Sequence, residues 1–107
     1  MSVPERVGTF LGFAKKSGHL LTGEKAVATG IKTGKAKIVL MATDLPERRR
    51  FFCIKFCEEQ KIPYSVVGTK EEYGQILGMS PRTLLAVTEQ KIAEQIQKTL
   101  ALIKEDG

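Results

Sequence analysis

The residue types that could do chemistry in this chain are few, and most lie in its first half. Ser17 to Lys37 reads SGHLLTGEKAVATGIKTGKAK, with Gly18, Gly23, Gly30 and Gly34 set among lysines and the single histidine, His19. A helix opening at Thr22-Gly23 leaves backbone N–H groups free at its start, where an anion is favoured, and Gly23 lets another backbone approach closely. Glu24 and Lys25 would project from that same entrance. Read blandly, the stretch is turn punctuation with a glutamate that suits the helix dipole. Arg48-Arg49-Arg50 is the densest basic run and is expected in the first turn of a later helix. Cations there oppose the dipole, which favours phosphate contact for one or two of them, taken here as Arg48 and Arg49. The alternative is a solvated face, since three consecutive helical residues fan over most of a turn.

Other chemistries fall away on spacing. Gly30 to Ala36 glances at a phosphate-binding P-loop, but it has one spacer too few, Ala36 in place of the metal-binding hydroxyl, and a strand after it rather than before. Cys53 and Cys57 stand four apart on a helix and are expected as a buried thiol pair, because no further Cys and only one His are present to complete a zinc site. A Cys-x-x-Cys at a helix start is absent, so redox catalysis is not expected. With no convergent acid pair, a hydrolase or transferase site is hard to build, and neither an enzyme nor a cofactor is expected.

Charge gives the partner class. The chain of 107 residues carries a net +5. Residues 1–56 hold eleven Lys or Arg against four acids, whereas residues 57–107 hold six against eight. Such asymmetry points to a basic face that meets a polyanion, and nucleic acid suits it better than a membrane, because no helix joins a basic face to large exposed aromatics. No apolar run reaches membrane-span length and MSVPERVG lacks the regions of a signal peptide, so a cytoplasmic protein is expected. The length fits one domain over residues 1–107, with a core that needs no disulfide or metal, and a monomer is expected.

The elements that must position these residues follow from periodicity. Ser2 and Pro4 start a helix in which Val3, Val7, Phe10, Leu11 and Ala14 recur at helical spacing, ending at Lys15-Lys16 before Gly18. Leu20 to Thr22 is a short strand. The second helix runs from Gly23 to Thr33 and buries Ala26 or Val27 with Gly30 and Ile31, where Gly30 marks a close helix–sheet contact. KIVLMAT, Lys37 to Thr43, reads as a strand buried on both faces. Asp44 is then expected to cap a helix whose inner stripe is Phe52, Cys53, Phe56 and Cys57. Ile62 to Val67 reads as a second core strand. Thr69 and Glu72 form a capping box for a short helix ending at Gly78. Thr83 to Thr88 is a third core strand, with Thr88 expected to cap a last helix that aligns Ile92, Ile96, Leu100 and Ile103, before a frayed Lys104 to Gly107. The order αβαβαβαβα predicts helices on both faces of a central sheet.

On these residues the chain resembles the kink-turn-binding ribosomal-protein family of the L7Ae type, over roughly residues 4 to 103. The carriers are Gly23 opening the second helix, the spacing from there to Gly34-Lys35-Ala36-Lys37, and IVLMATD ending in Asp44. CEEQKIPY from Cys57 to Tyr64 and Gly78-Met79-Ser80-Pro81 before TLLAVT complete it. The chain is most similar to a small stand-alone bacterial branch, in which Thr-Gly-Glu or Ser-Gly-Glu precedes that helix. The resemblance implies an α/β fold, a three-layer αβα sandwich with a central four-stranded mixed sheet. It implies RNA as partner, ribosomal or in a kink-turn-containing transcript, with ribosomal proteins as possible neighbours.

Carried over by position, the RNA-reading helix start is Gly23, Glu24 and Lys25, and the loop that packs on an extruded nucleotide is Met79, Ser80, Pro81 and Arg82. Lys16, Lys32, Lys35 and Lys37 would add sequence-independent attraction. Two positions depart from the strongest kink-turn binders. Ala26 stands where they place an amide or acid, and Thr29 where they tend to be basic. A second reading keeps the fold and makes the chain a protein-interaction module that docks on a ribosomal or transcription component. A third makes it a recognition domain separated from an RNA-modifying enzyme.

Overall fold

The computed structural model describes residues 2–106, with side chains to residue 103. Local signals set the helix limits. Helix α1, Glu5–Lys16, follows Pro4 and buries Val7, Leu11 and Ala14 along one side. Gly18 then turns the chain with φ of 76°, a left-handed value that suits glycine. Strand β1, Leu20–Thr22, leads through Gly23 into α2, Glu24–Lys32. Strand β2, Ile38–Met41, is followed by α3, Glu47–Glu59, then β3, Tyr64–Val66. Helix α4, Lys70–Leu77, opens on the expected capping box. Glu72 N donates to Thr69 Oγ1 at 3.2 Å, and Thr69 N donates back to Glu72 Oε1 at 3.1 Å. Strand β4, Leu84–Val87, and α5, Gln90–Asp106, complete the chain. The α/β alternation read from the sequence is the order observed.

The sheet order is β1-β4-β2-β3, with β1 and β2 antiparallel to β4 and β3 parallel to β2. It is therefore a four-stranded mixed sheet. Side chains alternate across it. Ile38, Leu40, Leu85 and Val87 face one way and join Val7, Leu11, Tyr73, Leu77 and Ile96 from α1, α4 and α5. Val39, Met41, Leu84 and Ala86 face the other way and join Val27, Ile31 and Cys57 from α2 and α3. Gly30 is where α2 presses on the sheet, since a Cβ there would stand 2.5 Å from Leu21 Cδ1.

Several sequence expectations are corrected. Ile62 to Val67 is not a core strand. Its extended part is the three-residue edge strand β3, with Val66 37% exposed, while buried Ile62 and Val67 lie just beyond its two ends. Phe52 is not on the inner stripe of α3 and is 56% exposed. With Phe51 at 60%, it puts large exposed aromatics on the helix that carries exposed Arg48 and Arg49, against the expectation that no helix joins the two. At 3.6 residues per turn it stands about 140° round from Cys57, beyond the reach of the core. Cys53 and Phe56 are half-buried, so Cys57 alone of that stripe is fully buried. Asp44 does not cap α3, which follows Pro46 with no side-chain cap. Its Oδ1 accepts from Lys70 N at 3.0 Å and so caps α4. At the start of α5 it is Glu89, not Thr88, whose carboxylate takes the backbone N–H of Ile92, at 2.6 Å. The helix continues to Asp106 where a frayed tail was expected, and Gly107 lies outside the described residues.

Tyr73 joins α4 to the end of β3. Its hydroxyl donates to Val67 O at 2.6 Å within the core, and burial pushes the phenol well above its ordinary pKa. Tyr73→Phe strips a buried carbonyl of its donor, which costs about 1–3 kcal/mol. A urea unfolding midpoint should fall accordingly with unchanged slope; an unchanged midpoint would show that this bond contributes nothing.

Candidate nucleic-acid interface

Four chain segments meet at one end of the sheet because the ladder ends there. Gly23 N donates to Leu84 O at 3.0 Å, and Ala42 N to Thr83 O at 2.9 Å. Thr43 N reaches Gly68 O at 2.7 Å, and Arg82 N reaches Lys70 O at 3.0 Å. These bonds stitch together the start of α2, the β2–α3 turn, the start of α4 and the loop from α4 to β4. The fold thus brings Gly23, Glu24, Lys25, Arg48, Arg49, Ser80, Pro81 and Arg82 to one end of the sheet.

The start of α2 is open. Gly23 has φ of 93° and offers no capping side chain. The first bond back into the helix is Val27 N to Gly23 O, at 3.0 Å, so the N–H groups of Glu24, Lys25 and Ala26 precede the helical ladder. Glu24 and Lys25 are both exposed. Glu24 meets Arg49 of α3 at 3.3 Å, the one salt bridge among the described residues. Both side chains are about half exposed or more, so the pair adds little stability. Its effect is positional: Glu24 and Arg49 offset one another, and Lys25 at the helix start has no salt-bridge partner among the described residues.

The three arginines have three different surroundings. Arg50 is half-buried and its Nη1 donates to Thr43 O at 3.1 Å and Leu45 O at 3.4 Å, bracing the β2–α3 turn. Arg49 holds Glu24. Arg48 is exposed. The loop residues divide as well. Met79 is half-buried against the core beneath α1, α4 and α5, whereas Ser80 and Pro81 are exposed. Arg82 folds back on its own loop, with Nη1 donating to Ser80 O and Pro81 O, each at 3.1 Å, and to Ser80 Oγ.

The remaining predicted lysines lie elsewhere. Lys37 N bonds Val87 O at 2.8 Å, at the far end of the ladder, and Lys37 Nζ donates to Gly34 O at 3.0 Å. Lys32 is in the last turn of α2 and Lys35 in the turn after it, both exposed. Lys16 closes α1 on the opposite face of the sheet. One feature links the two ends. An open concavity beside β1 is lined by Thr22, Lys25, Thr29, Gly30, Thr33 and Lys35. From Lys25 to Thr43 the sequence holds four lysines and no carboxylate.

Sequence reasoning missed Gly74. It is buried within α4, and a Cβ there would stand 2.9 Å from Met79 O, 3.0 Å from Ser80 O and 3.1 Å from Pro81 Cα. The loop therefore lies directly on the helix backbone. A glycine inside a short helix with its own capping box was the available signal.

This geometry can be set beside known proteins. The family model described as Ribosomal protein L7Ae/L30e/S12e/Gadd45 family matches residues 5–97. The chain belongs to this family. A relative in Bacillus subtilis (strain 168), named RNA-binding protein YlxQ, is 29% identical over 86 residues, covering 80% of this chain and 86% of that protein. A Bacillus halodurans protein of unknown function has a similar structure, with a TM-score of 0.85 at 23% identity, covering 89% of this chain and 96% of that one. The Giardia lamblia 15.5kD RNA binding protein superposes with a TM-score of 0.80 at 17% identity, covering 94% of this chain and 92% of that one. Both likenesses confirm the α/β fold of this family member.

Gly74→Ala would push the loop off α4, because the atoms it meets are backbone, at a cost of about 1–3 kcal/mol. In amide NMR spectra the signals of Met79, Ser80 and Arg82 should move while those of α2 stay. If the loop signals do not move, the close approach does not set the loop.

Proposed function

We propose that this family member is a non-catalytic, cofactor-free RNA-binding protein that recognises structured, kink-turn-like RNA in a ribosomal or other ribonucleoprotein setting in the cytoplasm. The observation that carries this reading is the open start of α2, with Gly23 and the exposed Lys25, held beside the exposed Ser80-Pro81 loop. The name of the Bacillus subtilis relative supports RNA as the partner.

The physical fit is direct. A-form RNA hides its major groove, and a sharp kink opens it. A helix start without a protruding cap can enter, its N–H groups toward phosphate or base edges, with Lys25 donating to guanine O6 or N7. Ser80 and Pro81 supply the exposed loop surface for an extruded nucleotide, and Met79 supports them from below. Lys35, at the far end of the α2 concavity, attracts the backbone beyond the kink, joined by Lys32 and Lys37, with Arg48 at the start of α3. Lys16, on the other face, contributes only to the long-range field. The carboxylate of Glu24 is engaged with Arg49 and does not stand in for the group missing at Ala26.

The protein-interaction reading has one observation in its favour. Phe51 and Phe52 on α3 are 60% and 56% exposed and stack edge-on with ring centroids 5.7 Å apart. Salt separates the two readings, because phosphate contacts weaken steeply with ionic strength and apolar docking does not.

In a gel shift at moderate salt, a kinked duplex should bind more tightly than a straight one of the same composition. Equal, weak binding to both would overturn kink recognition, and salt-insensitive behaviour would favour the interaction module. Lys25→Ala should lose roughly 1–3 kcal/mol on the kinked RNA and narrow the preference for it. Lys35→Ala should weaken both RNAs alike and reduce the salt slope by about one. Identical behaviour of the two variants would refute the division between base reader and phosphate contact.

A further inference from the structure

Helix α3 turns two neighbouring phenylalanines to solvent, Phe51 and Phe52, whose rings meet edge-on. Residues three and four apart are neighbours on a helix surface. Arg48 stands three and four positions before the two rings, and Lys55 four and three positions after them. All four side chains are exposed, so they form one outward ridge of cation, two rings and cation, about 10 Å long along the axis. Neither Arg48 nor Lys55 has a salt-bridge partner among the described residues. From Arg48 to Cys57 the helix holds four cations and no carboxylate, with Glu47 before this run and Glu58 and Glu59 beyond it.

The outward face of a helix ordinarily carries polar side chains, so paired rings there call for a partner. The ridge is also charged, and its charge is of one sign. The partner that fits it has flat apolar faces alternating with closely spaced anions. Unpaired nucleic acid has that chemistry, since every base offers a π face and every nucleotide brings a phosphate. An edge-on pair uses one face of one ring and the rim of the other, so each ring keeps a face to offer. A membrane surface fits less well. An interfacial helix sinks a broad apolar face, whereas Phe51 and Phe52 are the only large apolar side chains of α3 that are exposed. A purely apolar protein segment would leave both cations unmatched. The ridge also adjoins the start of α2, because Arg49, next to Arg48, reaches Glu24 there.

We propose that this ridge is a stacking platform for unpaired nucleotides that run on from the kinked element, with bases against Phe51 and Phe52 and phosphates at Arg48 and Lys55. It rests on the RNA reading above and adds to it: the RNA carries an unpaired flank, and α3 holds that flank. Stacking on a ring tolerates any base, and phosphate contacts carry no sequence information. The platform therefore adds affinity without adding sequence preference. The two phenylalanines that favour a protein partner are thereby accounted for by the RNA itself.

The test uses the native chain with a kinked and a straight duplex, each either blunt or carrying a short unpaired tail on one strand or the other, with 2-aminopurine in the tail. On one strand of the kinked duplex the tail should tighten binding about tenfold and its fluorescence should be quenched. The tail should also steepen the salt dependence by about 1.4, the increment for two phosphates of a single strand. Phe51→Leu combined with Phe52→Leu keeps apolar bulk and removes both rings. This variant should lose the tail's gain and the quench while binding the blunt kinked duplex as the native chain does, which also shows that it folds. Lys55→Ala should lose about half of the added salt slope. A tail that brings neither gain nor quench on either strand overturns the platform, and so does a leucine variant that holds the tail as tightly as the native chain. Capture of the native chain by phosphatidylserine vesicles, lost in the leucine variant, would assign the ridge to a membrane instead. Kink preference is read separately, from the blunt duplexes. If it is absent while the tail still adds affinity, the kink reading fails and the platform stands; if it is present and the tail adds nothing, the reverse holds.

Discussion

β2 and β4 run antiparallel from Ile38 opposite Val87 to Met41 opposite Leu84, and every residue of both strands is buried. With helices against both faces, polar side chains have no place along this pair, and its backbone groups must bond within the ladder. Polar work is therefore displaced to the two ends. The Gly23–Leu84 and Ala42–Thr83 bonds continue the ladder by one step and bring in α2 on one side and the β2–α3 turn on the other. The convergence of these loops is a consequence of strand pairing rather than of attraction between their side chains.

What was legible in the sequence was local. The capping box of Thr69 and Glu72, the glycine-opened second helix and the apolar runs of β2 and β4 each depend on residues within a few positions of one another. What was not legible depends on partners distant in the chain. Asp44 stands directly before α3, yet it caps α4, 26 residues on, because parallel pairing of β3 with β2 sets the start of α4 beside it. Phe52 was assigned inward on apolar character, and the rotation of α3 decides otherwise. At the candidate site, the uncapped helix start at Gly23 and the exposure of Lys25 were readable from helix-start chemistry. The separate fates of Arg48, Arg49 and Arg50 were not, since each depends on what α2 or the β2–α3 turn sets opposite it.

The loop after α4 shows how a short connector can be made stiff without secondary structure. Gly74 lets its backbone lie on the helix, Met79 anchors it to the core, and the Arg82 guanidinium gathers the oxygens of Ser80 and Pro81. Little conformational freedom is left for a partner to remove, which favours affinity at a small contact area. Arg82 is thereby a scaffold for the exposed residues beside it.

The carboxylate-free run from Lys25 to Thr43 makes this protein behave as a small polyelectrolyte. Its lysines repel one another with no acid among them, and the net charge of +5 adds to that repulsion. At about 0.15 M salt, charges are screened beyond roughly 8 Å, so added ions relieve the strain within the folded chain. The same ions compete for any polyanion that the run would hold. Fold and ligand thus respond to ionic strength with opposite sign, and a bound polyanion replaces the counterions that would otherwise keep the lysines at peace.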